Sequence, residues 1–282
     1  MTSSDSLAAL NWLVEAGADE ALVDAPVNRF NAKPAREEAR PAERAPAPVA
    51  KPAPAPEGTR PLAAIKPTTL APLATDGFGS AMEIAAHAQT LPELKAALEA
   101  FDGSQLKKLA KNTVFADGNP ASRILFIGEA PGQDEDRAGV PFVGRAGKLL
   151  DRMMSAIHLD RSGSYIINVM PWRPPDNRNP DPGEVAICIP FLRRHIELAA
   201  PEIIVLLGAV SARHVLGLND GIMKLRGRWL EYRVGEKMIP VLPTLHPAYL
   251  LRQPAHKKLA WRDLQAVAEK MELLGLPANV RN

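Results

Sequence analysis

Cysteine is nearly missing from this chain: of 282 residues only Cys188 carries a thiol. A single thiol forms no intramolecular disulfide and cannot fill an all-cysteine metal or iron–sulfur site, which fits a cytoplasmic protein. Long apolar runs are lacking too. The longest strongly apolar stretch, residues 203–210, is far too short to span a bilayer, and Met1-Thr2-Ser3-Ser4-Asp5-Ser6 has no basic-then-apolar leader pattern. No membrane role is expected. Charge of one sign is missing only locally: 34 basic against 32 acidic residues leave a net +2, which excludes a bulk polycation. Residues 237–262 contain no Asp or Glu, whereas Lys237, Arg252, Lys257, Lys258 and Arg262 all fall there. Such an asymmetry suits an anionic partner, the bland alternative being a solvated basic helix face.

Aromatic residues are absent from residues 26–72 apart from Phe30, and the same stretch holds 11 of the 27 prolines. It has too little apolar surface to offset the entropy of ordering it. The organisation read from composition is therefore a short amphipathic helix within residues 1–24, a disordered Pro/Ala-rich linker over 25–79, and one globular domain over 80–282. In the first segment Leu7, Leu10, Leu13 and Val14 recur at helical spacing near Trp12. That helix, predicted over 6–16, either docks a protein partner or packs back on its own domain.

Thr90 caps a helical pattern through Leu91, Leu94, Ala97 and Leu98 that stops at Gly103. Beyond it, β-prone runs at 124–127, 165–169 and 203–207 alternate with helical stretches at 146–157, 182–198 and 210–216. This alternation predicts an α/β fold with a doubly wound parallel sheet. Residues 228–234 and 238–241 add a hairpin around Gly235 or one further strand, and 255–274 form a final helix.

In an open parallel sheet, ligands bind beyond the carboxyl ends of the strands. Gly128-Glu129-Ala130-Pro131-Gly132-Gln133 follows the first predicted strand, and its two glycines let backbone amides approach a ligand. With Glu129, Asp134, Glu135 and Asp136 in or beside it, the loop suits a base better than a phosphate. Phe142, between Pro141 and Val143-Gly144, offers a ring for stacking or else belongs to the core. Asn168 places a donor and an acceptor near the end of an apolar strand, the complement of the N3–H and O4 edge of uracil, unless it bonds its own backbone. His246, in Thr244-Leu245-His246-Pro247, is a candidate donor to a developing oxyanion. Leu250 and Leu251 are candidate wedges, and Arg252 and Lys257 candidate phosphate contacts.

Taken together, these segments resemble the uracil-DNA glycosylase superfamily, and family 4 in particular, over about residues 100–270. Gly128-Glu129-Ala130-Pro131-Gly132 with Glu135-Asp136, Pro141-Phe142-Val143-Gly144-Arg145-Ala146-Gly147, Asn168-Val169 with Arg173-Pro174-Pro175, and His246-Pro247-Ala248 with Arg252 carry the likeness. It implies a four-stranded parallel sheet between helices and excision of uracil from DNA, with a monomeric, bacterial-type, nucleoid-associated protein. Implied roles are His246 at uracil O2, Asn168 at the N3/O4 edge, Phe142 in stacking, and Gly128, Ala130 and Gln133 around the pocket. Glu129 and Glu135 are the alternative carboxylates for orienting water, because Ala130 stands where other families place an aspartate. Family 4 also implies a four-iron, four-sulfur cluster on four cysteines. Here the corresponding segments read Ser104-Gln105-Leu106-Lys107, Trp172 and Cys188, so a cluster-less branch with no metal cofactor is expected. The uracil-trapping relatives carry an extra basic loop with a histidine after the second strand. Residues 171–182 hold Arg173 and Arg178 but no histidine, which favours turnover over covalent trapping. The competing readings are a non-catalytic reader of uracil-containing or damaged DNA and a nucleotide-binding scaffold.

Overall fold

The computed structural model describes residues 76–276. The expected helix within 1–24 and residues 25–75 of the expected linker lie outside the described residues. The last four residues assigned to that linker are helical instead: α1 spans Asp76–His87. Its buried positions are Ala81 and Ala85, continued by Ala88 just past its end, a stripe of small residues that lets the helix lie close against α6 (Pro182–Ala199). Alanine gives little hydrophobic signal in a sequence, so no helix is predicted there ahead of the Thr90 cap.

Helix α2 (Leu91–Ala100) starts where predicted, with the Glu93 N–H donating to Thr90 Oγ1 at 3.3 Å and the Glu93 carboxylate accepting the Gln89 N–H. Short α3 (Gln105–Leu109) follows. The sheet has six strands: β1 (Asp117–Gly118), β2 (Ile124–Gly128), β3 (Tyr165–Asn168), β4 (Ile203–Leu207), β5 (Leu230–Val234) and β6 (Lys237–Thr244). Their order is β1-β3-β2-β4-β6-β5. The four central strands are mutually parallel, as expected, and β1 and β5 are antiparallel edges added to them. Residues 230–244 form the hairpin around Gly235, and its second arm is also the fourth parallel strand.

Strands β2, β3 and β4 are buried along their whole length. Alternate side chains therefore feed two separate cores. Leu125, Ile127, Ile167, Ile204 and Leu206 face the layer of α1, α2, α6, α7 (Ala209–Leu216) and the short α8 (Ile222–Leu225). Phe126, Ile166, Val205 and Leu242 face α5 (Arg145–Ser155) and α10 (Lys257–Leu273). Among the described residues, no helix is long and apolar enough to cross a membrane. Chain direction around the sheet reverses at β2: β3 lies on one side of it and β4 on the other. The loops at the carboxyl ends diverge there and leave a crevice.

Candidate active site

A cavity of about 360 Å³ opens at this point. Its wall is drawn from the loops after β2, β3 and β6, and includes Glu129, Ala130, Glu135, Phe142, Asn168, His246 and Arg252. Residues separated by more than 100 positions in sequence meet here because their strands are neighbours. Gly128 pairs in register with Asn168, and a Cβ on Gly128 would lie 2.4 Å from Asn168 Oδ1 and 2.5 Å from Phe142 Cζ. Only glycine at the end of β2 lets those two side chains come together above the strand.

Asn168 is 8% exposed. Its Oδ1 is the buried side-chain polar atom that has no hydrogen-bond partner among the described residues. Buried polar atoms are nearly always paired, and this one belongs to a side chain that lines the cavity, where solvent or a ligand can meet it. Phe142 is 5% exposed, and its ring centroid lies 5.7 Å from that of His246, tilted by 31°.

His246 caps α9 (Pro247–Arg252): its Nδ1 accepts the Ala248 N–H at 3.1 Å. A nitrogen that accepts carries no proton, so the neutral ring bears its proton on Nε2. Burial, helped by the nearby Arg252 charge, lowers the His246 pKa to about 4 and keeps the ring neutral. Behind it, Gly208 adopts φ +99, and a Cβ there would lie 3.0 Å from His246 Cβ. The Thr244 hydroxyl, two residues before the histidine, donates to Asp263 Oδ2 at 2.7 Å, and Asp263 is in turn held by Arg226. The histidine loop is thus pinned on both flanks.

The two carboxylates differ. Glu135 accepts the Gly132 N–H through Oε2 at 3.1 Å and the Gly144 N–H through Oε1 at 2.9 Å, stapling two loops of the wall together. Among the described residues Glu129 has no side-chain hydrogen-bond partner, and burial raises its pKa above the usual carboxylate value.

Gln133 is exposed at the start of α4 (Gln133–Ala138) and is not part of the cavity wall. Leu250 is a correction: it is 1% exposed and packs in the core with α5 and α10, so it is no wedge. In α9 the next residue, Leu251, points outward at 36% exposure, and Arg252 and Lys257 are exposed. Asn177, Arg178, Asn179 and Tyr249 also line the cavity and were not singled out from sequence. For the first three the signal was the Pro174-Pro175 pair followed by Asp176 and Asn177, both in left-handed conformation (φ 53 and 52).

The sequence model of the Uracil DNA glycosylase superfamily matches residues 115–265, the span that builds this cavity. The chain belongs to that superfamily. Within the superfamily it is family-4-like. It is 41% identical over 170 residues to the type-4 uracil-DNA glycosylase of Sulfurisphaera tokodaii, covering 58% of this chain and 77% of that protein. The corresponding protein of Saccharolobus solfataricus is 41% identical over 172 residues (59% and 80% of the two chains). That of Thermotoga maritima is 44% identical over 157 residues (55% and 80%).

The cluster that family 4 implies does not fit the residues present. Of the four positions, only Cys188 is a thiol; it is fully buried on α6, and burial raises its pKa. Trp172 is fully buried, stacks on Phe101 at 6.2 Å, and donates from Nε1 to Thr113 Oγ1 at 3.0 Å. Phe101 meets Phe191 edge-on at 5.2 Å. Lys107 donates to the carbonyls of Glu99 and Phe101, a cationic amine where a thiolate would be needed. Among the described residues, no group of three or more His, Cys, Asp or Glu could hold a metal ion. Aromatic packing occupies this part of the core.

Proposed function

We propose that this chain is a monofunctional DNA glycosylase that flips uracil out of DNA and hydrolyses its N-glycosidic bond, leaving an abasic site. The observation that carries the reading is the buried, unpartnered Asn168 Oδ1 in a cavity shared with the Phe142 ring and a neutral His246. Uracil is flat, offers an N3–H donor beside an O4 acceptor, and leaves as an anion. Asn168 accepts from N3–H through Oδ1 and donates to O4 through Nδ2, Phe142 stacks on the ring, and the His246 Nε2–H donates to O2 as charge develops there. Ala130 lines the pocket with a methyl group that cannot act as a base. Of the two carboxylates, Glu129 orients the attacking water, because both oxygens of Glu135 are engaged by backbone amides. Phosphates of the bound DNA help balance the sugar cation. Outside the pocket Arg252 and Lys257 contact phosphates, and exposed Leu251 is the wedge that fills the gap left by the flipped base. The reaction is assigned to these side chains without an iron–sulfur cluster.

The test is release of free uracil from a uracil-containing oligonucleotide with chelator present. His246→Ala should lower the single-turnover rate by about 10²–10³-fold, the scale of one lost oxyanion donor. Asn168→Ala should fall steeply as well, since the uracil edge is then unpaired in a dry pocket. Near wild-type rates in both variants refute this site assignment, and binding of uracil-DNA without release by the wild-type chain identifies a reader instead.

A further inference from the structure

Phe142 has an unusual backbone as well as a place in the cavity wall: its φ is 55. The left-handed region disfavours bulky L-residues, and such strain persists only where the surroundings enforce it. The enforcing group is Arg161, in the connection between α5 and β3. Its Nη2 donates to the Phe142 carbonyl at 2.5 Å, and its Nη1 donates to the Pro141 carbonyl at 3.2 Å. The guanidinium is held from its other sides by Asp151 on α5, with Nε to Oδ1 at 2.8 Å, and by Asp117. Asp117 is delivered by β1, the two-residue edge strand that pairs with β3. Gly147 completes the arrangement, because a Cβ there would lie 1.6 Å from the Phe142 oxygen.

We propose that Arg161 is a positioning residue for base recognition: it fixes the left-handed backbone of Phe142, and so sets the ring that walls the pocket before substrate arrives. This rests on reading the cavity as the uracil site. Arg161 does not line the cavity, and with two carboxylates on one guanidinium it has no charge left over for a DNA phosphate. Two carbonyls and two carboxylates converge on a planar fork of five donors; a lysine, with a point charge and three donors, cannot span them. The clamp also gives β1 a purpose, since a strand of two residues adds little to the sheet.

Single-turnover uracil release, inhibition by free uracil and DNA affinity should be measured on the full chain for wild type, Arg161→Gln, Arg161→Lys, Phe142→Ala and the Arg161→Gln/Phe142→Ala double variant. Arg161→Gln should lower the rate at saturating DNA by about 10- to 100-fold and weaken inhibition by uracil, with DNA affinity within about twofold of wild type; Arg161→Lys should fall between. Once the ring is gone, adding Arg161→Gln should change the rate by less than about twofold. Additive losses, or a fall in DNA affinity matching the fall in rate, would overturn the proposal. If Arg161→Gln does not fold, Asp117→Asn enters the same cycle and should show the same non-additivity. Hydrogen exchange tests the clamp without reference to activity: the peptide over 141–146 should lose protection in Arg161→Gln while α10 does not, and unchanged protection refutes the clamp. A wild-type chain that releases no uracil refutes the glycosylase reading separately.

Discussion

His246 and Glu129 are both half-buried at the cavity, and desolvation moves their pKa values in opposite directions. The histidine falls to about 4, while the carboxyl rises above its usual value. A neutral imidazole therefore persists over the whole range in which an unperturbed histidine, at about 6.5, would be gaining its proton. The acid limb of the single-turnover rate should then come from Glu129, which loses its ability to orient water as it protonates at a pH above the normal carboxylate range. Glu129→Gln should lower the plateau rate and remove that limb, leaving a decline near pH 4 as His246 becomes charged. A wild-type limb centred near 6.5 and retained in Glu129→Gln would show that His246 titrates normally and that its tautomer has been misread.

At the scale of elements, two glycines separate space that is free from space that is taken. Gly79 lies within α1 with nothing inside 4 Å of an added Cβ, whereas Gly147 lies in α5 against the Phe142 carbonyl. Gly79→Ala should raise stability by about 0.5–1 kcal/mol through helix propensity. Gly147→Ala should lower it by about 1–3 kcal/mol through overpacking and weaken uracil inhibition as well; urea titration of both variants is the check. The parallel strands were legible because β2, β3 and β4 are buried on both faces and read as short, nearly continuous apolar runs. Helix α2 was legible from its Thr90 cap. Strand β1 was not, since Asp117-Gly118 carries no pattern of its own and exists only by pairing with β3. Helix α4 was hidden in what read as an acidic loop, and the α9 leucines could not be ranked because only the helix register separates inward Leu250 from outward Leu251. His246, Asn168 and Phe142 stood out as polar or aromatic residues where apolar strands end. Arg161 did not, because what it binds is backbone.

Across the whole molecule, His195 couples stability to pH. It lies on α6 at 4% exposure, stacks on Phe115 at 4.3 Å, and shares a 2.9 Å hydrogen bond with the Tyr165 hydroxyl. Burial lowers its pKa to about 3. Its folded value is below its unfolded one, so the unfolded chain binds the additional proton between roughly pH 6.5 and the folded pKa. Stability is thus fully present above that window and declines as pH falls through it, with His246 contributing in the same direction. His195→Gln should flatten the stability–pH curve between pH 6.5 and 4 relative to wild type, measured by urea unfolding. An unchanged slope would mean that His195 does not titrate in this way and would leave the acid sensitivity to His246 and, at lower pH, to carboxylates such as Glu184 and Glu202, whose pKa values are lowered by Arg178 and Arg123.

The unpaired oxygen of Asn168 has a further consequence, for the lineage more than for the single molecule. A buried acceptor that no protein group satisfies costs about 1–3 kcal/mol whenever nothing else in the cavity satisfies it. Leucine at the same position would fill similar volume and remove the deficit. Selection for thermal endurance alone would therefore favour an apolar residue at 168, at the expense of the base-reading edge proposed for the cavity.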